Sequence, residues 1–173
     1  MEVDRRYMKV NFLKKIVEKT NKKTVVIKTL LGEERFDFFW NNPATYEEII
    51  GFEKKYNCKL PSVYKDFLLV ANGGVIFKSE DEDDGYKLLS ISEIDTITKE
   101  MRSDGYDIAN NIFCFMQCLF SQDILLFDLN KEKNYILDGD VGYPPNEWEY
   151  INSDINTFFI RLFQCNGAMY WRW

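Results

Sequence analysis

The sequence predicts an α+β domain with a twisted, mainly antiparallel sheet of about five to six strands and helices packed around it. Strand-like stretches occur in runs, and helix-periodic stretches are grouped between and after them. This segregation is typical of antiparallel α+β domains. The chain has 173 residues, 46% of them hydrophobic, which suits a single domain over 1–173 with a substantial core. We divide it into an N-terminal extension (1–41), a core (42–165) and an aromatic tail (166–173).

The N-terminal extension predicts a helix followed by a β-hairpin. Hydrophobic residues recur at helical spacing over 5–20. Two β-like stretches follow, 24–31 and 34–40, with a joint near Gly32. The first is rich in β-branched residues and the second in aromatic residues, and both compositions favour strands.

The start of the core predicts two short amphipathic helices and then a strand. Thr45 and Glu48 have the spacing of a capping box, and Asn57 can take the left-handed conformation that ends a helix. Pro61 suits the first turn of the second helix, where its missing N–H costs nothing. An Asn-Gly-Gly sequence then stops that helix before a strand over 75–77.

The remaining chain predicts four strands, two helices and a long loop. Strands are expected over 86–91, 112–120, 124–129 and 134–137. Helices are expected over 92–101, with Ser92 as the N-cap, and over 153–165. Residues 138–150 are expected to form a loop, since they contain two glycines and two prolines. The aromatic tail either packs back onto the domain or forms an interface.

The charge of the chain points to a basic partner. Its formal net charge is −6 and it contains no histidine. Direct nucleic-acid binding is disfavoured because phosphate contacts need a basic face, whereas opposite charge steers a basic protein towards an acidic one. Without histidine, Ser-His-Asp and Cys-His catalytic sites are excluded. The N-terminal residues contain no long apolar segment, so neither a signal peptide nor a membrane span is expected.

The four cysteines, Cys58, Cys114, Cys118 and Cys165, predict a reducing compartment. Their spacings do not match the common zinc ribbons, so a four-thiolate zinc site is disfavoured and no metal is expected. Free cysteine behaves as a small buried apolar residue. Together with the missing signal peptide, this favours the cytoplasm.

Five consecutive acids follow the strand over 75–77, and they are the most unusual local feature. They are Glu80, Asp81, Glu82, Asp83 and Asp84. Such a run is usually a solvated loop; the alternatives are a contact surface for a cationic partner and a calcium loop. The calcium interpretation is weak because the spaced ligands and the downstream glutamate of an EF-hand are missing.

A spaced set of residues early in the core resembles a family signature. The set is Glu53, Leu60, Pro61, Tyr64, Phe67, Leu68, Asn72, Gly73 and Gly74. It resembles the pattern of the SUKH superfamily, which includes fungal cell-wall assembly regulators and bacterial immunity proteins of polymorphic toxin systems. Later stretches, 88–94, 124–129 and 151–163, are similar to that family as well. The resemblance covers about 42–163, and the N-terminal extension and the aromatic tail depart from it.

The resemblance implies a SUKH-like fold and protein binding without catalysis or a cofactor. Its apolar motif residues are expected in the core, and its proline and glycines are expected to set backbone geometry. For Glu53, the expected role is a surface or capping carboxylate that accepts backbone amides near the Leu-Pro joint. In bacteria, the implied function is that of an immunity protein that occupies a cognate toxin, often a nuclease, and blocks it.

The first functional hypothesis is therefore an acidic immunity protein, most simply a monomer, that binds a basic toxin. Candidate charged contacts, besides the five consecutive acids, are Asp104, Asp107, Asp138 and Asp140. Candidate aromatic anchors on segments expected to be exposed are Tyr106, Tyr143 and Trp148. These residues define three candidate binding loops, 80–84, 102–111 and 138–149.

Two other hypotheses remain. The chain could be a regulatory scaffold of the cell-wall assembly type without a toxin partner. It could also be an enzyme that uses paired carboxylates such as Asp138 and Asp140. The enzyme hypothesis is disfavoured because acids two residues apart in a glycine-rich loop are usually turn formers.

Overall fold

All the strands that the structure describes belong to one antiparallel sheet, in which neighbours along the chain are also neighbours in the sheet. The computed structural model describes residues 14–21, 23–29, 32–79 and 84–172. The strands are β1 Lys23–Thr29, β2 Gly32–Trp40, β3 Gly74–Ser79, β4 Tyr86–Leu88, β5 Ile112–Cys118, β6 Ile124–Asp128, β7 Ile136–Gly139 and β8 Glu149–Ile151. The α+β class and the antiparallel sheet are confirmed, and the sheet has eight strands rather than five to six.

Helices lie between and after these strands. They are α1 over 14–20, α2 Tyr46–Tyr56, α3 Ser62–Leu68, α4 Ile91–Ser103 and α5 Ile155–Gln164, with short 3-10 turns at Pro145–Glu147 and Tyr170–Arg172. Several predictions concern residues outside the described ranges: the start of the first helix (5–13), the acids Glu80 to Asp83, and Trp173.

The N-terminal hairpin extends the sheet of the core. β1 and β2 pair from Lys23 opposite Phe38 to Thr29 opposite Gly32, and β2 pairs in turn with β3. Helix α1 docks on the hairpin, because the indole N–H of Trp40 donates to the hydroxyl of Thr20 at 2.9 Å. The hairpin predicted over 24–40 is thus confirmed, with Gly32 inside β2 rather than in the turn.

The predicted ends of helix α2 are confirmed. The hydroxyl of Thr45 accepts from the amide of Glu48, whose carboxylate accepts from the amide of Thr45, so the capping box is complete. Asn57 ends the helix with a φ of 48°. Pro61 is the N-cap of α3 and not part of its first turn, because its carbonyl accepts from the amides of Tyr64 and Lys65, the third and fourth residues of the helix.

Glycine is required between α3 and β3. At Gly73 the φ is +80°, and an added Cβ would lie 2.5 Å from the carbonyl oxygen of Leu88. At Gly74 the added Cβ would lie 2.3 Å from the carbonyl oxygen of Phe39. The Asn-Gly-Gly sequence therefore allows neighbouring strands to approach this segment closely. It does not itself end α3, which stops earlier, at Leu68.

The N-cap of helix α4 lies two residues before the predicted one. Ser90, not Ser92, caps it, since its hydroxyl accepts from the amide of Glu93 and the Glu93 carboxylate accepts from the amide of Ser90. β4 ends at Leu88, so this strand is shorter than the one predicted over 86–91.

The core lies around β5 and β6, with the family motif packed against them. All five residues of β6 are buried, so both faces of that strand are covered. Phe127 stacks on Phe115 at 4.1 Å, and the fully buried Tyr64 of α3 packs edge-on against Phe127 at 4.8 Å. The other apolar motif residues, Leu60, Phe67 and Leu68, are buried as predicted.

The segment predicted as a loop over 138–150 contains structure that the sequence did not reveal. Asp138 belongs to β7, and the short strand β8 pairs with β7 through Asp138 opposite Glu149. The aromatic tail packs back onto the domain, since Trp171 contacts Phe158 of α5 at 5.2 Å between ring centres. Tyr170 also donates to the carbonyl of Phe158.

The direction of the strands sorts the connections into two groups. Because neighbouring strands are antiparallel, all odd-numbered strands end at one edge of the sheet and all even-numbered strands end at the other. The pair α2–α3 and the helix α4 lie in the even connections, after β2 and β4. The connections after β3, β5 and β7 emerge together at the opposite edge.

Candidate partner-binding surface

The edge at which the odd strands end is strongly acidic, and we call it the acidic end. The described acids in or beside the connections after β3, β5 and β7 are Asp84, Asp123, Asp138, Asp140, Glu147 and Glu149. Residues 80–84 and 138–149 together contain nine of the 28 acids and none of the 22 Lys and Arg residues. Since the net charge is −6, the chain without these nine acids would carry +3. The negative charge of the chain is thus concentrated in two connections that start from the same edge.

One arginine from the aromatic tail holds part of the acidic end together. The guanidinium of Arg172 donates two hydrogen bonds to Asp138, at 2.7 and 2.8 Å, and one to Asp123 at 2.8 Å. Asp140 lies 3.7 Å from the same group. The Asp138 carboxylate, helped by Asp123, raises the pKa of Arg172, so the arginine stays charged. One positive charge faces three carboxylates, which leaves the cluster negative.

Apolar side chains are exposed beside these acids. Nine large hydrophobic residues of the described chain are exposed, and five of them lie in the β5–β6 connection, the β7–β8 connection or β8. They are Leu119, Phe120, Val141, Tyr143 and Tyr150. Tyr143 is the most exposed of these five, at 57%. Exposed aromatic side chains surrounded by charges are typical of protein-binding surfaces.

A hollow of about 420 Å³ lies beside β8. Its walls combine acids, aromatic side chains and the tail, and they are Asp138, Asp140, Tyr143, Glu147, Trp148, Glu149, Tyr150, Ile151, Trp171 and Arg172. Arg172 of the tail is the one Lys or Arg residue among the described residues that line the hollow. Four carboxylates and one guanidinium therefore line the hollow, so its lining carries a net negative charge.

The structure brings two of the three candidate binding loops to the acidic end. Asp84, the described member of the acid run, accepts from the amide of Ser79 at 2.8 Å and so closes the β3–β4 connection. The third loop, 102–111, belongs to an even connection. Its acids Asp104 and Asp107 are exposed, and Tyr106 between them reaches Trp148 of the β7–β8 connection.

One predicted anchor is not exposed. Trp148 is only 7% exposed, and its indole N–H donates to the carbonyls of Asp140 and Tyr143 at 2.8 and 3.0 Å. The exposure predicted for Trp148 is therefore wrong, because the indole supports the loop from inside. The half-buried Tyr106 packs against it at 5.9 Å between ring centres. Of the three predicted anchors, Tyr143 is the exposed one.

Sequence reasoning missed the residues that complete this surface. Asp123 is not among the predicted contact residues, yet its carboxylate accepts from Arg172, from the hydroxyl of Ser121 and from the amide of Val141. Arg172 belongs to a tail that the sequence did not link to the acids. Of the residues missed, only Leu119 and Phe120 could have been noticed in the sequence, because this apolar pair continues past the end of β5.

Glu53 has a structural role in the core motif. Its carboxylate accepts from the amide of Leu60 at 2.9 Å and lies 3.1 Å from the ammonium groups of Lys59 and Lys65. Burial would raise the pKa of Glu53, but these hydrogen bonds outweigh it and lower the pKa below its ordinary value. Of the two predicted roles, a surface or a capping carboxylate at the Leu-Pro joint, the capping role is confirmed, since Glu53 accepts the amide of Leu60 and is only 5% exposed.

The cysteines show no pairing. All four are free thiols; Cys114 and Cys118 are buried, and Cys58 and Cys165 are half-buried. Burial raises the pKa of Cys114 to about 12, so this thiol stays protonated. Among the described residues, no group of His, Cys, Asp or Glu has the arrangement of a metal site. None of the described helices has the length and apolar character needed to cross a membrane.

The domain is an α+β antiparallel meander. Two helices lie between its second and third strands, and one helix lies between its fourth and fifth strands. The sequence profile of the SMI1/KNR4 family (SUKH-1) matches residues 43–161. The chain belongs to this family, which confirms the resemblance seen in the sequence. The match begins after β2 and ends within α5, so the N-terminal hairpin and the aromatic tail lie outside it.

Two relatives come from Bacillus subtilis (strain 168). The chain is 28% identical to uncharacterized protein YobM over 143 residues, which cover 78% of this chain and 74% of YobM. It is also 28% identical to uncharacterized protein YnaB over 138 residues, which cover 78% of this chain and 86% of YnaB. Both relatives match over most of their length, and neither name states a function.

Proposed function

We propose that this chain is a non-catalytic bacterial immunity protein that binds and neutralises a cognate basic toxin, such as a nuclease. One observation carries the proposal: acids and exposed apolar side chains gather at the edge of the sheet where the odd strands end. A carboxylate-rich surface can steer onto the phosphate-binding groove of a nuclease and pair with its Arg and Lys side chains. Exposed aromatic residues would then slow dissociation.

Other observations support the same proposal. The chain belongs to the SUKH-1 family, and its sequence resemblance to the SUKH superfamily implied protein binding. The two relatives are bacterial proteins. The absence of histidine from the chain removes the usual general base. Four free thiols suit the reducing cytoplasm, where such a protein would protect its own cell. We expect the chain to act as a monomer in a one-to-one complex.

Rescue from toxicity tests the function directly. The chain is used to capture basic proteins from its native host, and each captured protein is expressed alone and together with the chain. Neutralisation predicts that growth stops with the toxin alone and resumes when the chain is present. A captured partner that is not toxic would instead support the regulatory scaffold, and would refute the immunity role.

Association kinetics test the surface. Replacing Glu80 to Asp84 with Ser and Asn should slow association with the partner and weaken its dependence on salt, because long-range attraction is screened by ions. The matched control is the removal of five acids from the even connections and helices. An association rate at low salt that is unchanged in the first variant would exclude the acid run from the contact.

A further inference from the structure

The hollow beside β8 has the walls of a site for a planar cation. We propose that it receives an arginine side chain of the basic partner, and this inference rests on the proposed function. The hollow holds about 420 Å³ and is lined by the β7–β8 connection, β7, β8 and the aromatic tail. That volume lies within the range of small-ligand sites in proteins.

The charges of the hollow are incompletely paired. Arg172 lines the hollow and occupies both carboxylate oxygens of Asp138. Glu147 and Glu149 line it as well; both are exposed, and no ion pair within the described chain involves them. Asp140 lies 3.7 Å from Arg172 and accepts from the amide of Gly142 with one oxygen. A second cation can enter beside Arg172 and pair with Glu147 and Glu149.

The aromatic walls favour a guanidinium over an ammonium. Tyr143 and Tyr150 are 57% and 41% exposed and line the hollow with two tryptophans. Tyr150 is held in place within the chain, since the ammonium of Lys131 covers one face of its ring at 3.5 Å from the ring centre and its hydroxyl donates to Asp128 at 2.7 Å. Tyr143 is therefore the more accessible aromatic wall for a partner guanidinium. Arginine stacks on aromatic rings and forms forked hydrogen bonds to carboxylates, whereas lysine is a compact and strongly hydrated charge. The hollow offers both kinds of contact at once.

The bound Arg172 shows how carboxylates of this cluster hold a guanidinium. Its forked contact to Asp138 has two distances below 2.9 Å, which is the geometry expected for an arginine–carboxylate pair. A partner arginine inserted beside it would meet Glu147 and Glu149 at the open side. The tail therefore forms one wall of the site and does not need to leave.

Binding of short peptides tests the site with the full chain. An arginine-only peptide and a lysine-only peptide of the same length and label are titrated at low salt and followed by fluorescence anisotropy. We expect the arginine peptide to bind about tenfold more tightly. The double variant Glu147→Gln and Glu149→Gln should weaken it by about tenfold. Tyr143→Leu should reduce the preference for arginine while keeping most of the binding to lysine.

A charge-matched control separates the site from the general field of the protein. Glu47→Gln with Glu100→Gln removes the same two charges from the exposed surfaces of α2 and α4. This control should change arginine-peptide affinity by less than about twofold, since exposed distant charges are screened. Equal binding of the two peptides, or equal weakening by the two double variants, would overturn the proposal. Thermal unfolding of each variant confirms that it is folded.

Assays with the toxin partner distinguish a wrong arginine site from a wrong immunity function. If the double variant at Glu147 and Glu149 still neutralises the toxin with an unchanged dissociation rate, the arginine site is refuted and the immunity role stands. If the arginine peptide prefers the hollow but no toxin is neutralised, the site stands and the immunity role is refuted. Concentration-dependent dimerisation that the same double variant abolishes would assign the hollow to a second copy of the chain and overturn the proposal.

Discussion

Replacing Glu53 tests whether a buried carboxylate of the family motif maintains the joint between α2 and α3. The carboxylate accepts from the amide of Leu60, and truncation to alanine would leave that buried N–H without its acceptor. Such an unpaired group costs about 1–3 kcal/mol. The ion pair with Lys59 adds about 0–1 kcal/mol, because that side chain is 83% exposed. The pair with Lys65 is less screened, since Lys65 is only 30% exposed. We expect Glu53→Ala to destabilise the fold by about 3 kcal/mol.

Thermal and urea unfolding measure this loss. For a chain of this length, about 3 kcal/mol corresponds to a decrease in Tm of about 6–12 °C. Glu53→Gln keeps an acceptor for the Leu60 amide and loses only the charge, so we expect a cost of about 1 kcal/mol. Lys54→Ala, at an exposed position on the same helix, serves as control and should change stability by less than about 0.5 kcal/mol.

The effect should depend on pH in a defined direction. Because the pKa of Glu53 is lower in the folded chain than in the unfolded chain, its ionised form stabilises the fold above about pH 4.3. This stabilisation is lost as the pH falls through the folded-state pKa, so the difference between the wild type and Glu53→Gln should shrink in acid. Two results would refute the reasoning: equal stability of the alanine and glutamine variants, or a cost of alanine below about 0.5 kcal/mol.

Three further predictions concern backbone and charge. Gly73→Ala should cost at least about 2 kcal/mol in urea unfolding, because Gly73 has a positive φ and lies against the backbone of β4. The control Gly51→Ala, in open space within α2, should stabilise the fold by about 0.5–1 kcal/mol. Equal effects of the two substitutions would contradict the close approach at Gly73. Ser90→Ala should cost about 1 kcal/mol through the lost cap, and Ser92→Ala less than about 0.5 kcal/mol; the reverse order would restore Ser92 as the cap. Although burial opposes it, hydrogen bonds from two lysines and a tyrosine lower the pKa of Asp95 to about 2. Asp95→Asn should therefore be less stable than the wild type above about pH 4, and this difference in stability should vanish as the pH falls towards 2. A difference that stays constant with pH would argue against the lowered pKa.

Features that depend on a few consecutive residues could be predicted from the sequence. The capping box at Thr45 and the left-handed end at Asn57 are interactions within one turn of helix. The motif Ser-x-x-Glu from Ser90 to Glu93 carried the same information, but the hydrophobic spacing suggested a later start. Local capping chemistry was the better guide to where α4 begins.

Features that depend on distant residues could not be predicted. β8 has only three residues, too few for an alternating pattern, and it exists because β7 supplies its hydrogen bonds. Arg172 pairs with Asp138 across 34 positions, a contact that composition does not reveal. Trp148 lies in a polar loop and suggested an exposed anchor, yet two loop carbonyls satisfy its N–H inside. The charge of the site was thus predictable, and its assembly was not.

The fold separates the residues that identify the family from the residues proposed to bind a partner. Gly73 and Gly74 lie where β3 begins, at the edge to which the helices attach, and an added Cβ would collide with neighbouring backbone. Substitution there disturbs the pairing of β3 with β2 and β4. Acids and tyrosines of the odd connections lie at the opposite edge, where many side chains are exposed and substitutions cost little stability. An antiparallel meander therefore lets the odd connections change in charge and shape while the backbone contacts at the other edge keep the strands paired.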